Sequence, residues 1–354
     1  MVAGIGLADP AQAAVTGWGD GGESTPTMQD LVPAMSSGEA YSERYGFSAK
    51  IDGGGEVLVN FTISNLGWGD GSAAVKVRVD LPDRDEYVYQ KKVGRSEWSF
   101  SENKFRLKVA DTQVRGKGDN TFVVEHNGDL QLRMKLTSKL PMWSPGNGEI
   151  TVGDGYYYRL HAFALRSNMT GKVKPKGESW TEIKGTRSGY GDHVATNIAP
   201  FDLGTRFSRF RVYDDENDVF AMWREIELTD DYGGKSLSFL VVGYKDQIVF
   251  SDPDAKTTYA RRVKDTKTGY RLPYAVQIDG KKNGDKVRVV LEATKVDRKD
   301  LLKGYGGVTR MIASQISQPW NYYFNCDYKI QMTIGGSTAK VQGEAGYVID
   351  FVNK

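Results

Sequence analysis

The chain has 354 residues, with 47 Lys and Arg against 45 Asp and Glu for a net charge of +2, and 41 Gly and 19 Tyr beside one Cys and three His. At roughly 100–200 residues per domain this length predicts two domains. Balanced charge gives no electrostatic footprint for nucleic acid, lone Cys326 rules out an intrachain disulfide framework, and so few His and Cys leave little from which to build a metal site.

Residues 1–15, MVAGIGLADPAQAAV, end in Ala11-Gln12-Ala13-Ala14, small side chains of the kind a signal peptidase accepts; a positive n-region is missing and Asp9-Pro10 breaks the apolar run. Two readings stand: the remnant of an export signal, placing the protein in a periplasm or outside the cell, or a tail on a cytoplasmic protein. Residues 16–38 are rich in Gly, Ser and polar side chains and read as a leader, so the first domain is expected over 39–195 and the second over 196–354.

From about residue 45 the sequence alternates with period two. Val57, Val59, Phe61 and Ile63 share one strand face; Val75, Val77 and Val79 another; then Phe105, Leu107 and Val109, and Leu130, Leu132, Met134 and Leu136. The pattern resumes after residue 205 in FSRFRVY, VFAMWREIEL, SLSFLVVGY, VRVVLEATKV, YKIQMTIGG and YVIDFVN. Asp52-Gly53, Asn127-Gly128, Asp279-Gly280, Asn283-Gly284 and Gly335-Gly336 are read as hairpin turns. The one helical stretch is 308–317, VTRMIASQIS. The fold class is therefore all-β: two antiparallel barrels packed together, about ten strands in each half, with very little helix, because so many strands must curl or close to hide their edges. The Gly-rich stretch 185–204 is the expected junction.

The densest run of functional side chains lies at that junction: Tyr190, Asp192 and His193, with Asn197 behind. An Asp beside a His can fix the imidazole tautomer, and a nearby phenol can relay a proton; the alternative is a polar plug that satisfies backbone groups between two barrels. Aromatic and polar-tipped residues suited to a ligand cavity are Trp143, Tyr158, His161, Trp180, Trp223, Trp320 and Tyr323. Gly17-Trp18-Gly19-Asp20-Gly21-Gly22 satisfies a dinucleotide pattern in form only, since no strand precedes it and no helix follows. Asn60 and Asn168 begin glycosylation sequons, the first inside a strand; RFSRFR at 206–211 reads as one strand face.

The segment order ISNLGWGDGSAAVKVRV, SEWSFSENKFRLKVADTQVRG and LPMWSPGNG, followed by YYYRLHAFALRSNMTGKV and GTRSGYGDH, resembles the two-domain lipocalin-like superfamily of carotenoid 1,2-hydratases, AttH-type bacterial proteins and the fungal oxidative-stress survival factor, over about residues 45–352. Asn197-Ile198-Ala199-Pro200 and FSRFRVY look most like the survival-factor branch; Val194-Ala195-Thr196 departs from the hydratases, which often place an aromatic residue and Gly there. The resemblance implies two lipocalin-like barrels meeting at the Asp-His junction, with a lipophilic molecule bound in a barrel or between the two.

The leading expectation is a binding protein for a lipid, isoprenoid or polyketide, with no cofactor and no metal, no nucleic-acid partner, no integral membrane segment, and transient membrane contact for ligand exchange. The alternative is a cofactor-free hydratase, cyclase or isomerase with His193, Asp192 and Tyr190 as its acid–base machinery. A third reading is a structural module in which the junction only fastens the domains.

Overall fold

A computed structural model of the protein describes residues 14–19, 24–66, 71–153, 155–302 and 319–353. The Ala11–Ala13 motif and the helix expected over 308–317 lie outside the described residues.

Among the described residues, twenty-three strands form two antiparallel sheets. The first holds β1 (Val15–Thr16), β2 (Ser42–Lys50), β3 (Glu56–Ser64), β4 (Ser72–Asp80), β5 (Tyr87–Val93), β6 (Trp98–Phe100), β7 (Arg106–Val109), β8 (Thr112–Gly116), β9 (Thr121–Asn127), β10 (Leu130–Thr137), β11 (Glu149–Val152), β12 (Tyr156–Ala162), β13 (Ser167–Pro175) and β14 (Thr181–Thr196). The second holds β15 (Gly204–Asp214), β16 (Val219–Leu228), β17 (Ser236–Tyr244), β18 (Gln247–Asp252), β19 (Lys256–Lys264), β20 (Arg271–Lys282), β21 (Asp285–Asp300), β22 (Trp320–Ile334) and β23 (Ser337–Phe351). The division is 14 and 9 strands, not about ten in each half, because β21, β22 and β23 run to 16, 15 and 15 residues while β6 to β8 are short. Among the described residues helix is limited to α1 (Pro200–Leu203) and three single 3₁₀ turns, and no helix is long and apolar enough to cross a membrane.

Alternation decides which side chains go inward. Val57, Val59, Phe61 and Ile63 of β3 and Val75, Val77 and Val79 of β4 are buried on the concave face of the first sheet, with Leu107, Val109 and the β10 set. The second sheet fills its concavity with Trp223, Leu240, Val289, Leu291, Tyr322, Phe324 and Tyr347. In the first sheet, ordered β5-β4-β3-β2-β14-β13-β10-β9-β8-β7-β6, the outer strands approach each other: Trp98 Nε1 donates to the Gly71 carbonyl at 2.7 Å and the Tyr87 hydroxyl meets His126 Nε2 at 3.2 Å. The second, β18-β17-β16-β15-β23-β22-β21-β20-β19, nearly closes: Ser238 Oγ donates to the Ala255 carbonyl at 2.6 Å and the Lys281 amide to Asp252 Oδ2 at 2.7 Å.

Asn283-Gly284 makes the β20–β21 turn with both residues at positive φ, 50° and 90°, as a tight hairpin requires. Asp279-Gly280 is not a turn. It lies inside β20, where Gly280 is needed because a Cβ would come within 2.8 Å of the Phe250 ring. Within the expected junction 185–204 most residues are strand, since β14 runs unbroken to Thr196, and the chain changes sheets over 197–203. Gly191 lets this strand pass Phe163, whose ring would lie 2.2 Å from any Cβ.

The first half of β14 pairs with β13; its second half pairs with β2 on one side and β12 on the other. β12 carries β11 and β1, and this layer faces the second sheet across an apolar cluster that includes Trp18, Trp143, Leu160, Phe220, Met222 and Phe239. At its edge the buried Arg166 donates to the Lys245 carbonyl and to Asp218, which Arg187 also grips. Arg166, Arg187, Asp218 and Lys245 all have φ between 48° and 58°, so four left-handed residues converge on this bridge between the sheets.

Candidate functional site

A cleft of about 560 Å³ lies between the two sheets. β2, β3, β12 and β14 line it on one side and β15, β16 and the end of β23 on the other. Its apolar walls are Trp18, Phe47, Leu58, Tyr158, Val194, Phe207 and Ile226; its charged lining includes Arg44, Arg209, Arg211, Arg224, Asp192 and Asp350. The volume falls in the ordinary range for small-molecule sites, about 300–1,000 Å³.

Strand register builds the charged centre. Asp192 stands opposite Gly46, and Tyr190 opposite Ser48, on the face that β14 turns toward the second sheet. A Cβ at Gly46 would come within 2.6 Å of Asp192 Oδ1 and 2.7 Å of Arg44 Nη1, so glycine makes room for the carboxylate. Asp192 Oδ2 accepts from Arg44 Nη2 at 3.0 Å, from Arg224 Nη2, and from the Tyr190 hydroxyl at 3.3 Å. Burial opposes the charge on Asp192, but the two guanidiniums outweigh it and hold the carboxyl well below the usual carboxylate range. Burial pushes the Tyr190 hydroxyl up. The phenol therefore stays protonated at neutral pH, accepts from Arg224 at 3.0 Å and stacks its ring 3.8 Å from the Arg211 guanidinium.

His193 is not part of this centre. Neighbouring strand residues point to opposite faces, and the expected Asp192–His193 pair is absent for that reason. His193 enters the first barrel, stacks on Tyr45 at 4.3 Å and places Nε2 3.1 Å from Glu43 Oε2. Glu43, fully buried, also accepts from the Tyr41 and Tyr45 hydroxyls at 2.7 and 2.6 Å and from the Ala34 amide at 2.8 Å. Burial raises its pKa, yet His193 and the two phenols bring it below the ordinary value. His161 lies on the same side, its Nδ1 2.7 Å from Ser144 Oγ, and burial, with His193 and Arg159 adding to it, pushes its pKa down to about 4.

Of the other expected ligand residues, Tyr158 alone lines the cleft. Trp143 is buried in the apolar cluster between the sheets, and Trp223 sits in the second core, its Nε1 3.1 Å from Thr257 Oγ1. Trp180 packs on the outside against Lys172 and Arg133. Asn197 accepts from the Tyr157 amide at 2.6 Å and donates to the Gly155 carbonyl, a structural tie. Trp320 lies under Lys267 at the start of β22, and Tyr323 is exposed on the outer face. Among the described residues no group of His, Cys, Asp and Glu is arranged to hold a metal ion.

The sequence reading missed the arginines. Arg209 and Arg211 belong to RFSRFR, whose alternation was the available signal: Phe207, Arg209 and Arg211 face the cleft while Arg206, Ser208 and Phe210 turn into the second barrel. Glu225 was also missed. Paired with Ser208 on the barrel side of the cleft wall, it accepts from the Tyr259 hydroxyl and is pushed up by burial, with Arg206 3.9 Å away pulling the other way.

The profile of the Svf1 family matches residues 63–350. The chain belongs to the Svf1 family. No curated protein matches it. Solved structures share the double-lipocalin-like fold of this Svf1-family protein at low identity. An AttH-type protein from Nitrosomonas europaea is 14% identical over 91% of this chain and 95% of its own, with a TM-score of 0.56. CghA is 10% identical over 94% and 93%, with a TM-score of 0.58. Kievitone hydratase from Nectria haematococca is 11% identical over 93% and 96%, with a TM-score of 0.54.

Proposed function

We propose that this protein binds a hydrophobic small molecule, such as a lipid, isoprenoid or polyketide, in the cleft between its sheets and not inside either barrel. The observation that carries this reading is the apolar-walled cleft of about 560 Å³, set against two concave faces filled by their own side chains. Support comes from CghA, a structure of the same fold whose crystals were also obtained with the small molecule Sch210972. Trp18 supplies the test, because among the described tryptophans it is the one that lines the cleft. Dibrominated stearate quenches tryptophan fluorescence on contact. Saturable quenching that shrinks in Trp18→Phe supports the reading; no saturable quenching, or quenching undiminished in Trp18→Phe, overturns it.

A second reading, a cofactor-free hydratase, cyclase or isomerase, is favoured by Glu225, a carboxyl beside the same cleft whose pKa burial pushes up. A carboxyl shifted in this direction is suited to general-acid donation to an alkene or enone. Turnover of a bound enone that falls about 10²–10⁴-fold in Glu225→Gln with retained binding supports it; absence of turnover across alkenes, enones and polyenes rejects it.

A further inference from the structure

Resting on the cleft reading above, we infer that Arg211 forms an anion subsite, and that the ligand carries a single negatively charged head on an apolar body. The other cleft arginines each have a carboxylate partner: Arg44 and Arg224 share the single charge of Asp192, and Arg209 pairs with Asp350. Arg211 has no carboxylate within 4 Å among the described residues; one of its N–H groups meets Ser48 Oγ at 3.2 Å. A guanidinium carries five N–H donors, so most of its capacity faces the cleft unmet.

The cation is also held in place. Its Cζ sits over the Tyr190 ring, 3.8 Å from the centroid, with the Tyr213 ring 5.7 Å away on the same strand. Stacking fixes the fork without consuming its in-plane donors, which leaves it ready for a bidentate acceptor. Leu58, which stands opposite Ser48 on β3, lines the same cleft, so an oxyanion on Arg211 leaves its apolar chain on a hydrophobic wall. A carboxylate and a phosphate monoester share this chemistry: two in-plane oxygens and negative charge.

The experiment uses the full chain and three C12 probes that differ only in the head: laurate, dodecyl phosphate and 1-dodecanol, titrated into wild type, Arg211→Met and Arg211→Lys with a melting curve for each. The expected result is that wild type binds at least one anionic probe about 10–100-fold tighter than dodecanol. Arg211→Met erases that preference and keeps the dodecanol affinity, while Arg211→Lys retains part of it, because the charge stays and the fork goes. Whichever of laurate and dodecyl phosphate binds tighter names the head group. Equal binding of all three probes by wild type overturns the subsite and leaves the cleft reading standing. An anion preference that persists in a folded Arg211→Met overturns the assignment to Arg211. Failure of wild type to bind any of the three overturns the cleft reading and the subsite with it.

Discussion

Replacing Asp192 by Asn removes one negative charge from a buried centre and leaves two guanidiniums facing each other. The side chain of Asp192 is 3% exposed, that of Arg224 15% and that of Arg44 39%. Arg44 swings into water, so the loss falls mainly on Arg224, which keeps a buried charge without its counterion. Breaking a buried pair costs about 3–5 kcal/mol, and with one partner able to rehydrate the lower end applies, about 3 kcal/mol at pH 7. The pH dependence follows from the depressed carboxyl. Between its folded value and the ordinary aspartate value near 3.8 the unfolded chain holds the extra proton, so this stability is complete above about pH 5 and is lost as pH falls below it. Urea denaturation of wild type and Asp192→Asn at pH 7 and pH 3 measures both effects. The midpoint gap is wide at pH 7 and narrows at pH 3, and adding Arg224→Met to Asp192→Asn recovers at least half of the loss. Equal midpoints at pH 7, or a gap of the same width at pH 3, refute the charge accounting.

His161 resists protonation in the folded state down to about pH 4, so wild type loses stability as pH falls from about 6.5 to 4; His161→Gln flattens melting temperature across that window, a difference of roughly 2–3 kcal/mol. Arg166→Met removes the buried link from the first sheet to Asp218 and the Lys245 carbonyl and lowers stability by about 3 kcal/mol, and limited proteolysis then cuts first between the sheets, over 197–203. Gly46→Ala forces a Cβ against Asp192 and Arg44 and lowers both melting temperature and affinity for laurate, whereas Gly94→Ala, at a glycine with open space around it and no positive φ, leaves both unchanged.

The fold was largely legible because period-two alternation is a local property. Val57 to Ile63 and Leu130 to Leu136 declare their strands and their buried faces within eight residues, and no distant contact overrules them. Asp279-Gly280 misled for the opposite reason: a turn-forming dipeptide was claimed by packing, Gly280 being required by Phe250 from another strand. At the site, Tyr190 and Asp192 were found by their density of polar groups, and His193 was wrongly joined to them although alternation alone places consecutive strand residues on opposite faces. Arg44 on β2 is far in sequence from Arg211 and Arg224 on the β15–β16 hairpin, and only the meeting of the two sheets turns their faces into one cleft. Alternation shows that a strand has two faces. It does not show that the second face meets another sheet and not water.

The central claim is that the ligand lies between the sheets. Photo-crosslinking of the full chain with a diazirine-bearing fatty acid, followed by peptide mass spectrometry, tests it most directly. Labels are expected on Leu58, Tyr158, Val194, Phe207 or Ile226, which face the cleft, and excess unlabelled laurate suppresses them. Competable labels confined to Val59, Phe61 and Leu107, or to Val289, Leu291 and Phe324, would place the ligand inside a barrel and contradict it.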